Sequence, residues 1–517
     1  MTETSLQHVA IIDLGSNTCR LIVMAAIPGY RYRLEDQIRE VVRLRQGMTE
    51  QGLSPAARER ALATMRLFKR FCAGYGVDTI LATATSAVRE APNGPAFVRQ
   101  VKEETGITLQ VLTGEQEAYY GVLGVLNEIP METGYILDIG GGSAQISEVR
   151  NGRFHRGDAL TLGALALSER FITNDPITND EIKTIQTEID AQLDTLKWVK
   201  PRDNYQIAGL GGTIRNLAQM VAARNKTSLW ALHGVELSRD DILWCLQTLQ
   251  EKPLADRQKI AGLNSDRADI ILPGILVLLA VMARIDIPHI KISTNGLREG
   301  IFLETFWSHL PYPVIGDVRR FSVLNLARNY QYHKNHANHV RFLATRLFRQ
   351  LVNLHQCDEN DLAILDAAAI LHDLGTIVAY KGHHKHSQTL IEYNGLPGFD
   401  QSEIALIALL TRYHRKGTPQ IAPYDALLTK KDSRRLTFLA AILRLAEFLE
   451  RGRNAAIDDV IAHWDDNTLH LTLVSDLYPA VEIWEAEKHA LPLMVDAFER
   501  EVLLHSLTAP QPIHNGH

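Results

Sequence analysis

Residues 11–23 read IIDLGSNTCRLIV, and residues 136–149 read ILDIGGGSAQISEV. Each is an apolar, β-prone run that ends on an aspartate, turns through glycine and small polar residues, and resumes as a second strand-like run. The first reads as a β-hairpin with strands over 8–13 and 19–27, and the pattern restarts at 134–139. A unit repeated about 125 residues further on predicts two similarly folded lobes that face each other.

Working outward from these openings, helical patterns cover 55–74, 94–105 and 115–127, with short strands at 79–83 and 107–112. Behind the second opening, a strand at 205–209 runs through Gly209-Leu-Gly-Gly-Thr213 into a helix. The duplicated α/β pattern points to the two-lobed architecture of the actin and sugar-kinase superfold. Residues 270–283 are apolar and uncharged, but shorter than the roughly 18 residues that a membrane span requires, so they read as a buried helix. The stretch 311–317 (PYPVIGD) reads as a linker. Beyond it helical periodicity dominates, at 319–331, 336–354 and 361–372, and nine of the chain's 20 histidines fall between 333 and 414. Residues 455–485 alternate like strands, PAVEIW at 479–484 included, and 486–505 read as helical.

A chain of 517 residues is too long for one core and predicts three or four domains. Hydrophobic residues make up 46% and charged residues 22%, ordinary for a globular protein, and the net charge of −6 means that a polyanionic partner needs a local basic surface. The four cysteines (Cys19, Cys72, Cys245, Cys357) lack metal or redox spacing, which predicts reduced thiols in the cytoplasm. The first residues lack a signal-type pattern.

Several short segments can carry chemistry. In Asp13-Leu-Gly-Ser-Asn17 and Asp138-Ile-Gly-Gly-Gly-Ser143, the glycines let backbone N–H groups approach a phosphate, and the strand-end aspartates can hold Mg²⁺. Gly211, Gly212 and Thr213 lie at a helix start, where exposed N–H groups favour anions. Leu112-Thr-Gly-Glu-Gln-Glu-Ala118 puts Glu115 and Glu117 at another helix start, where either can serve the helix dipole. Arg89 ends the small-residue loop Thr83-Ala-Thr-Ser-Ala-Val-Arg89; it suits a phosphate or an ion pair with Glu90 or Glu115. His336, Leu371-His-Asp-Leu-Gly375, His383-His-Lys-His386 and His414 can converge on a divalent metal in a helical bundle, or can be capping and surface histidines.

Taken in order, IDLGSN, ATATSAVREA, TGEQEA, LDIGGGS, GLGGT and NGLREG (295–300) resemble the exopolyphosphatase/guanosine pentaphosphate phosphohydrolase (Ppx/GppA) family over residues 8 to about 310. Residues 320–450 resemble the HD-like helical domain of its longer members. The resemblance implies ribonuclease-H-like lobes over 1–127 and 128–310, an all-α HD-like domain over 311–454 and a small α+β domain over 455–517. It implies hydrolysis of a terminal phosphoanhydride in the cleft, with Glu117 activating water. Phosphate falls to Asp13, Gly15, Ser16, Asn17, Arg89, Gly140, Gly141, Gly142, Ser143, Gly211, Gly212 and Thr213, and Mg²⁺ to Asp138 and Asp13. A monovalent cation and a homodimer complete the expectation, with neither nucleic acid nor a membrane span involved; the HD-like domain is expected to be structural, helping to form a substrate channel or dimer interface, with a metal site at His336, His372, Asp373 and Glu447 as the alternative.

Three residues depart from the family's pattern. Gln116 precedes Glu117 where the family usually has Glu, Gln145 stands two residues after GGGS where it usually has an acid, and Glu447 replaces the last Asp of the HD pattern. The expected substrate is inorganic polyphosphate, drawn along a basic track from Arg319-Arg320, Arg412, Arg415, Lys416, Lys430-Lys431 and Arg434-Arg435. Guanosine pentaphosphate in the same cleft, a nucleotide-binding regulator without hydrolysis, and an HD phosphohydrolase regulated by the lobes are the competing readings.

Overall fold

The computed structural model describes residues 5–226, 232–422 and 424–509. They form two compact units, divided between Val318 and Arg319.

The first unit holds two sheets built on one plan. In one, β1 (Gln7–Leu14), β2 (Thr18–Ile27), β3 (Arg31–Val41), β4 (Thr79–Ala84) and β5 (Leu109–Val111) take the order β3-β2-β1-β4-β5. In the other, β6 (Thr133–Ile139), β7 (Ala144–Arg150), β8 (Arg153–Leu160), β9 (Gln206–Gly211), β10 (Glu236–Ser238) and β11 (His289–Ile292) take the order β8-β7-β6-β9-β11-β10. In both, an antiparallel meander runs into parallel strands. The repeat extends to single residues. Gly15 N–H donates to Thr18 O at 3.1 Å, and Gly140 N–H to Ser143 O at 3.0 Å, closing the same turn twice. Across those turns Asp13 pairs with Arg20, and Asp138 with Gln145.

Strands β3 and β8 are absent from the sequence expectation. Both are outer strands of the meanders with charged, largely accessible residues, so neither carries the apolar run that marked their neighbours. The helices follow local rules. Ser54 caps Pro55–Tyr75, accepting from Ala57 N–H at 3.3 Å, and Gly76 ends it in the left-handed conformation, φ 73°. Helix Ile271–Ile285 is buried within its unit, packed by four neighbouring helices. Among the described residues no helix is long and apolar enough to cross a membrane.

The two sheets share helices. Val122, Val125 and Leu126 of helix Gly114–Leu126 join Ile136, Val149, Ala208 and Leu210 in one core. This helix therefore packs on the second sheet although it precedes the expected boundary at 127. Helix Leu297–Phe306, from the far side of that boundary, packs back against β1, and Tyr32 of β3 lies edge-on to Phe302 and Phe306 at 5.2 and 5.0 Å.

The second unit is mainly helical: Val318–Asn329, Lys334–Gln350, Glu359–Leu371, His383–Asn394, Gln401–Tyr413 and Lys430–Leu449 are its longer helices. A small sheet closes it, with β12 (Asp459–Trp464) antiparallel to β13 (Thr468–Val474) and β14 (Glu501–Ser506) parallel to β13. Two expectations are corrected here. PAVEIW is no strand; Pro479 precedes helix Ala480–His489, which packs on Lys430–Leu449. The stretch 486–505 is not one helix, because Leu491–Phe498 stops at Glu499 (φ 53°) and β14 follows. The sheet is tied to helix Lys334–Gln350: Gln350 bonds Val460 O and Ala462 N–H at 2.7 and 2.9 Å, and Asp459 takes Arg346 at 2.8 and 2.7 Å.

Candidate active site

A cavity opens where the two glycine turns meet in the first unit. Asp13, Gly15, Ser16, Asn17, Gly140, Gly141, Gly142, Ser143, Gly211 and Gly212 all line it, as do Asp138 and Glu117. The turns touch. A Cβ on Gly142 would lie 2.5 Å from Ser86 Oγ and 2.6 Å from Ser16 Oγ, and one on Gly141 would lie 3.2 Å from Asn17 Cβ. Glycine is required at 142 because any side chain would displace the two hydroxyls, which bond each other at 2.9 Å.

Glu117 reaches the cavity from a firmly capped helix. Thr113 and Gln116 form a capping box, with Thr113 N–H donating to Gln116 Oε1 at 2.9 Å and Gln116 N–H to Thr113 Oγ at 3.1 Å. Gln116 thus fills the capping role open to glutamate at that position, Glu115 is exposed, and Glu117 is 8% exposed. Arg89 pairs with one Glu117 oxygen, and Gln145 Nε2 donates to the other at 2.8 Å while also donating to Ser143 Oγ at 2.8 Å. Gln145 therefore orients the carboxylate and adds no second charge beside it. Burial lifts the Glu117 carboxyl to about 7 against the pull of Arg89, with Asp13 and Asp138 adding to the rise. Burial also raises Asp13, opposed by Arg298 and Arg20, and lifts Asp138 to about 6, opposed by Arg215.

Two expected residues sit elsewhere. Arg89 does not line the cavity; it borders a neighbouring depression with Glu115 and Arg156, its guanidinium held by Glu117 and by Leu112 O at 2.7 Å. Thr213 is 1% exposed and packs against Gly274, outside the cavity lining. In exchange the structure adds four lining arginines that motif reading missed: Arg20, Arg215, Arg267 and Arg298. Burial and mutual repulsion push Arg20 down to about 9 and Arg267 down to about 10, the signature of cations crowded around an anion site. Arg267 lies so close over Gly212 that a Cβ there would displace its guanidinium. Arg298 lies on the lining segment 294–299, whose start is fixed by buried Glu128. Glu128 accepts Thr294 N–H at 2.8 Å and Asn295 N–H at 3.0 Å, along with the Ser293 and Thr294 hydroxyls. Burial alone would raise Glu128, but His233 and these donors pull it down to about 2.

Asp13 Oδ1 is buried and accepts no hydrogen bond, a hard oxygen donor with spare capacity that suits Mg²⁺, and the Asp138 carboxylate lines the cavity at the matching strand end.

In the second unit, His336, His372, Asp373 and Glu447 do converge. Glu447 Oε2 lies 3.2 Å from His336 Nε2 and 3.1 Å from His372 Nε2, so the longer side chain still reaches the site. Part of the expected basic track is neutralised there: Arg319 pairs with Glu403, Arg320 with Asp366 at 3.4 Å, and Arg435 with Asp361 and Asp432.

Fold and cavity together define a two-lobed, actin-like α/β protein with a carboxylate-and-arginine cleft made for phosphate. More narrowly, a family model described as the Ppx/GppA phosphatase family matches residues 33–309, and one described as Ppx/GppA phosphatase, domain III, matches 318–487. The chain belongs to the Ppx/GppA phosphatase family. A crystal structure of the Aquifex aeolicus family member is 29% identical with a TM-score of 0.51, covering 58% of this chain and 97% of its own. An exopolyphosphatase from Cytophaga hutchinsonii is 27% identical with a TM-score of 0.54, covering 58% of this chain and 98% of its own.

Proposed function

We propose that this chain is an exopolyphosphatase, releasing orthophosphate from the end of inorganic polyphosphate with Glu117 as general base. The observation that carries the reading is one buried carboxylate aimed into a cavity that also holds four arginines and two glycine turns. Phosphoryl transfer asks mainly for positioning, for cations on the non-bridging oxygens and for an aligned nucleophile. Backbone N–H groups of the two turns and of the helix start at Gly212 can cradle the terminal phosphate. Arg20, Arg215, Arg267 and Arg298 neutralise it and the next phosphate. Glu117 takes a proton from water as the water oxygen bonds to the terminal phosphorus and the bridging P–O bond breaks. The electron pair leaves on the shortened chain. Mg²⁺, held by Asp13 and Asp138, would supply further positive charge to those oxygens.

The four arginines lining the cavity suit successive phosphates of a polyphosphate chain. With polyphosphate of defined length, products should be orthophosphate and chains shortened stepwise from an end. Asp138→Asn should abolish release at every length. Mid-chain fragments, or an active Asp138→Asn, would overturn the proposal.

A further inference from the structure

The cavity draws arginines from both lobes. Arg20 stands on β2 of the first sheet, and Arg215 on helix Gly212–Asn225, which follows β9 of the second. Arg267 also belongs to the second lobe. It ends the short turn Ser265–Arg267, whose neighbours Leu263, Ala268 and Ile270 join the core under that sheet. The lobe holds this turn from behind through Asn216. Asn216 Oδ1 accepts Asn264 N–H at 2.7 Å, and Asn216 Nδ2 donates to Gly212 O at 2.7 Å. Asn264 Oδ1 in turn accepts Asp266 N–H at 3.0 Å. One side chain thus ties the turn that carries Arg267 to the glycine that Arg267 lies over.

From the front the turn is held by the other lobe. Arg39 Nη1 donates to Asp266 Oδ2 at 3.0 Å, and Arg43 Nη2 lies 3.5 Å from Asp269 Oδ2. The two acids stand one position before and two positions after Arg267. The two arginines stand at the end of β3 and just beyond it, on a segment fastened to the first glycine turn. Val42 N–H and Arg43 N–H donate to Asn17 O at 3.0 and 2.8 Å, and Arg45 N–H donates to Ser16 O at 3.2 Å. By strand register Arg39 is opposite Arg20, and Arg20 is opposite Asp13. Exposed ion pairs add little to stability, so stability does not account for two of them here. Arg39 keeps Nε and Nη2 buried without an acceptor while Nη1 reaches Asp266, an arrangement that favours reach over satisfaction of its own donors. The Arg39 charge also repels Arg267, and Asp266 lies where it offsets that repulsion.

We infer that Arg39, Arg43, Asp266 and Asp269 are positioning residues whose two ion pairs bridge the lobes and set Arg267 against the phosphate held by the first glycine turn. The inference rests on the cleft binding phosphates, as proposed above, and is independent of the base and of which phosphoanhydride is cut. It fixes a sign that charge alone would reverse. Asp266 and Asp269 are acids beside an anion site. Acting through charge only, their removal would tighten the binding of a polyanion; acting through Arg267, their removal weakens it.

The test is calorimetric binding of a methylene-bridged tripolyphosphate, which resists hydrolysis, to the full chain. A wrong assignment of base or natural substrate would show in orthophosphate release and leave this readout untouched. Asp266→Asn, Asp269→Asn should raise Kd about three- to tenfold. Arg267→Met should raise it at least as much, and the two asparagines added to Arg267→Met should raise it no further, since they act through Arg267. Asp266→Glu, Asp269→Glu, which keeps both charges, should bind more tightly than the asparagine pair. Unchanged or tighter binding by the asparagine pair, a further loss on top of Arg267→Met, or a glutamate pair as weak as the asparagine pair would overturn the inference. Absence of binding by the native chain would overturn it together with the phosphate reading of the cleft.

Discussion

Glu117→Gln removes the base and almost nothing else. The amide keeps the length and shape of the carboxylate but can present only one acceptor. In the native protein both oxygens are used, one by Arg89 and one by Gln145 Nε2 at 2.8 Å. Turning the new amide oxygen to Arg89 sets two amide nitrogens against each other at position 145; turning it to Gln145 strands Arg89. One charge-assisted bond is lost either way, ~1.5–3 kcal/mol, and relief from burying a carboxylate offsets part of it. The chain should therefore fold. Arg89 does not line the cavity, and the four arginines that do are untouched, so polyphosphate binding should be largely kept. Turnover should drop by about 10²–10⁴-fold, the usual contribution of a positioned base; at ~1.36 kcal/mol per decade this is about 3–5 kcal/mol of barrier. Orthophosphate release at saturating polyphosphate measures kcat, and a filter-binding titration measures affinity. Turnover within about tenfold of native, or a loss that appears in affinity alone, would refute the assignment of Glu117.

Three further outcomes follow from the same geometry. Because Glu117 is raised to about 7 and acts as its carboxylate, kcat/KM for polyphosphate should fall as pH drops through about 7; Arg89→Met, which removes the group pulling that carboxyl down, should move the midpoint upward in a pH–rate profile. Gly124→Ala drives a Cβ into the Gly296 backbone, so it should cost about 1–3 kcal/mol in denaturant unfolding and lower activity by displacing the lining segment. Neutralising Arg412, Arg415 and Lys416 together should raise KM for long polyphosphate much more than for short chains, and should weaken the salt dependence of the long-chain KM.

What the sequence disclosed was local. The Asp-to-glycine turns at 13–17 and 138–143 were legible because each packs an apolar strand, an acid and a glycine turn into a dozen residues, and register then pairs Asp13 with Arg20 and Asp138 with Gln145. Counting across the first turn could have found Arg20. Arg215 and Arg267 had no such signal, since lone arginines on separate elements gain meaning only when the second lobe folds around them; Arg298 lay inside the quoted NGLREG but had no assigned role. The strand reading of PAVEIW failed for a related reason: a short β-branched and aromatic run fits a strand or a helix, and packing against Lys430–Leu449 decided for the helix. Similarly, His383 and His414 were visible as histidines, while their approach to Asp373 depends on three helices meeting.

The central claim is that the cleft acts on a chain of phosphates and not on a nucleotide. Its most direct test compares orthophosphate release by the native chain from long polyphosphate and from guanosine pentaphosphate, side by side with Mg²⁺ present. The account predicts a markedly higher kcat/KM for polyphosphate, abolished for both substrates by Glu117→Gln. A preference for guanosine pentaphosphate, or release from neither, would contradict it.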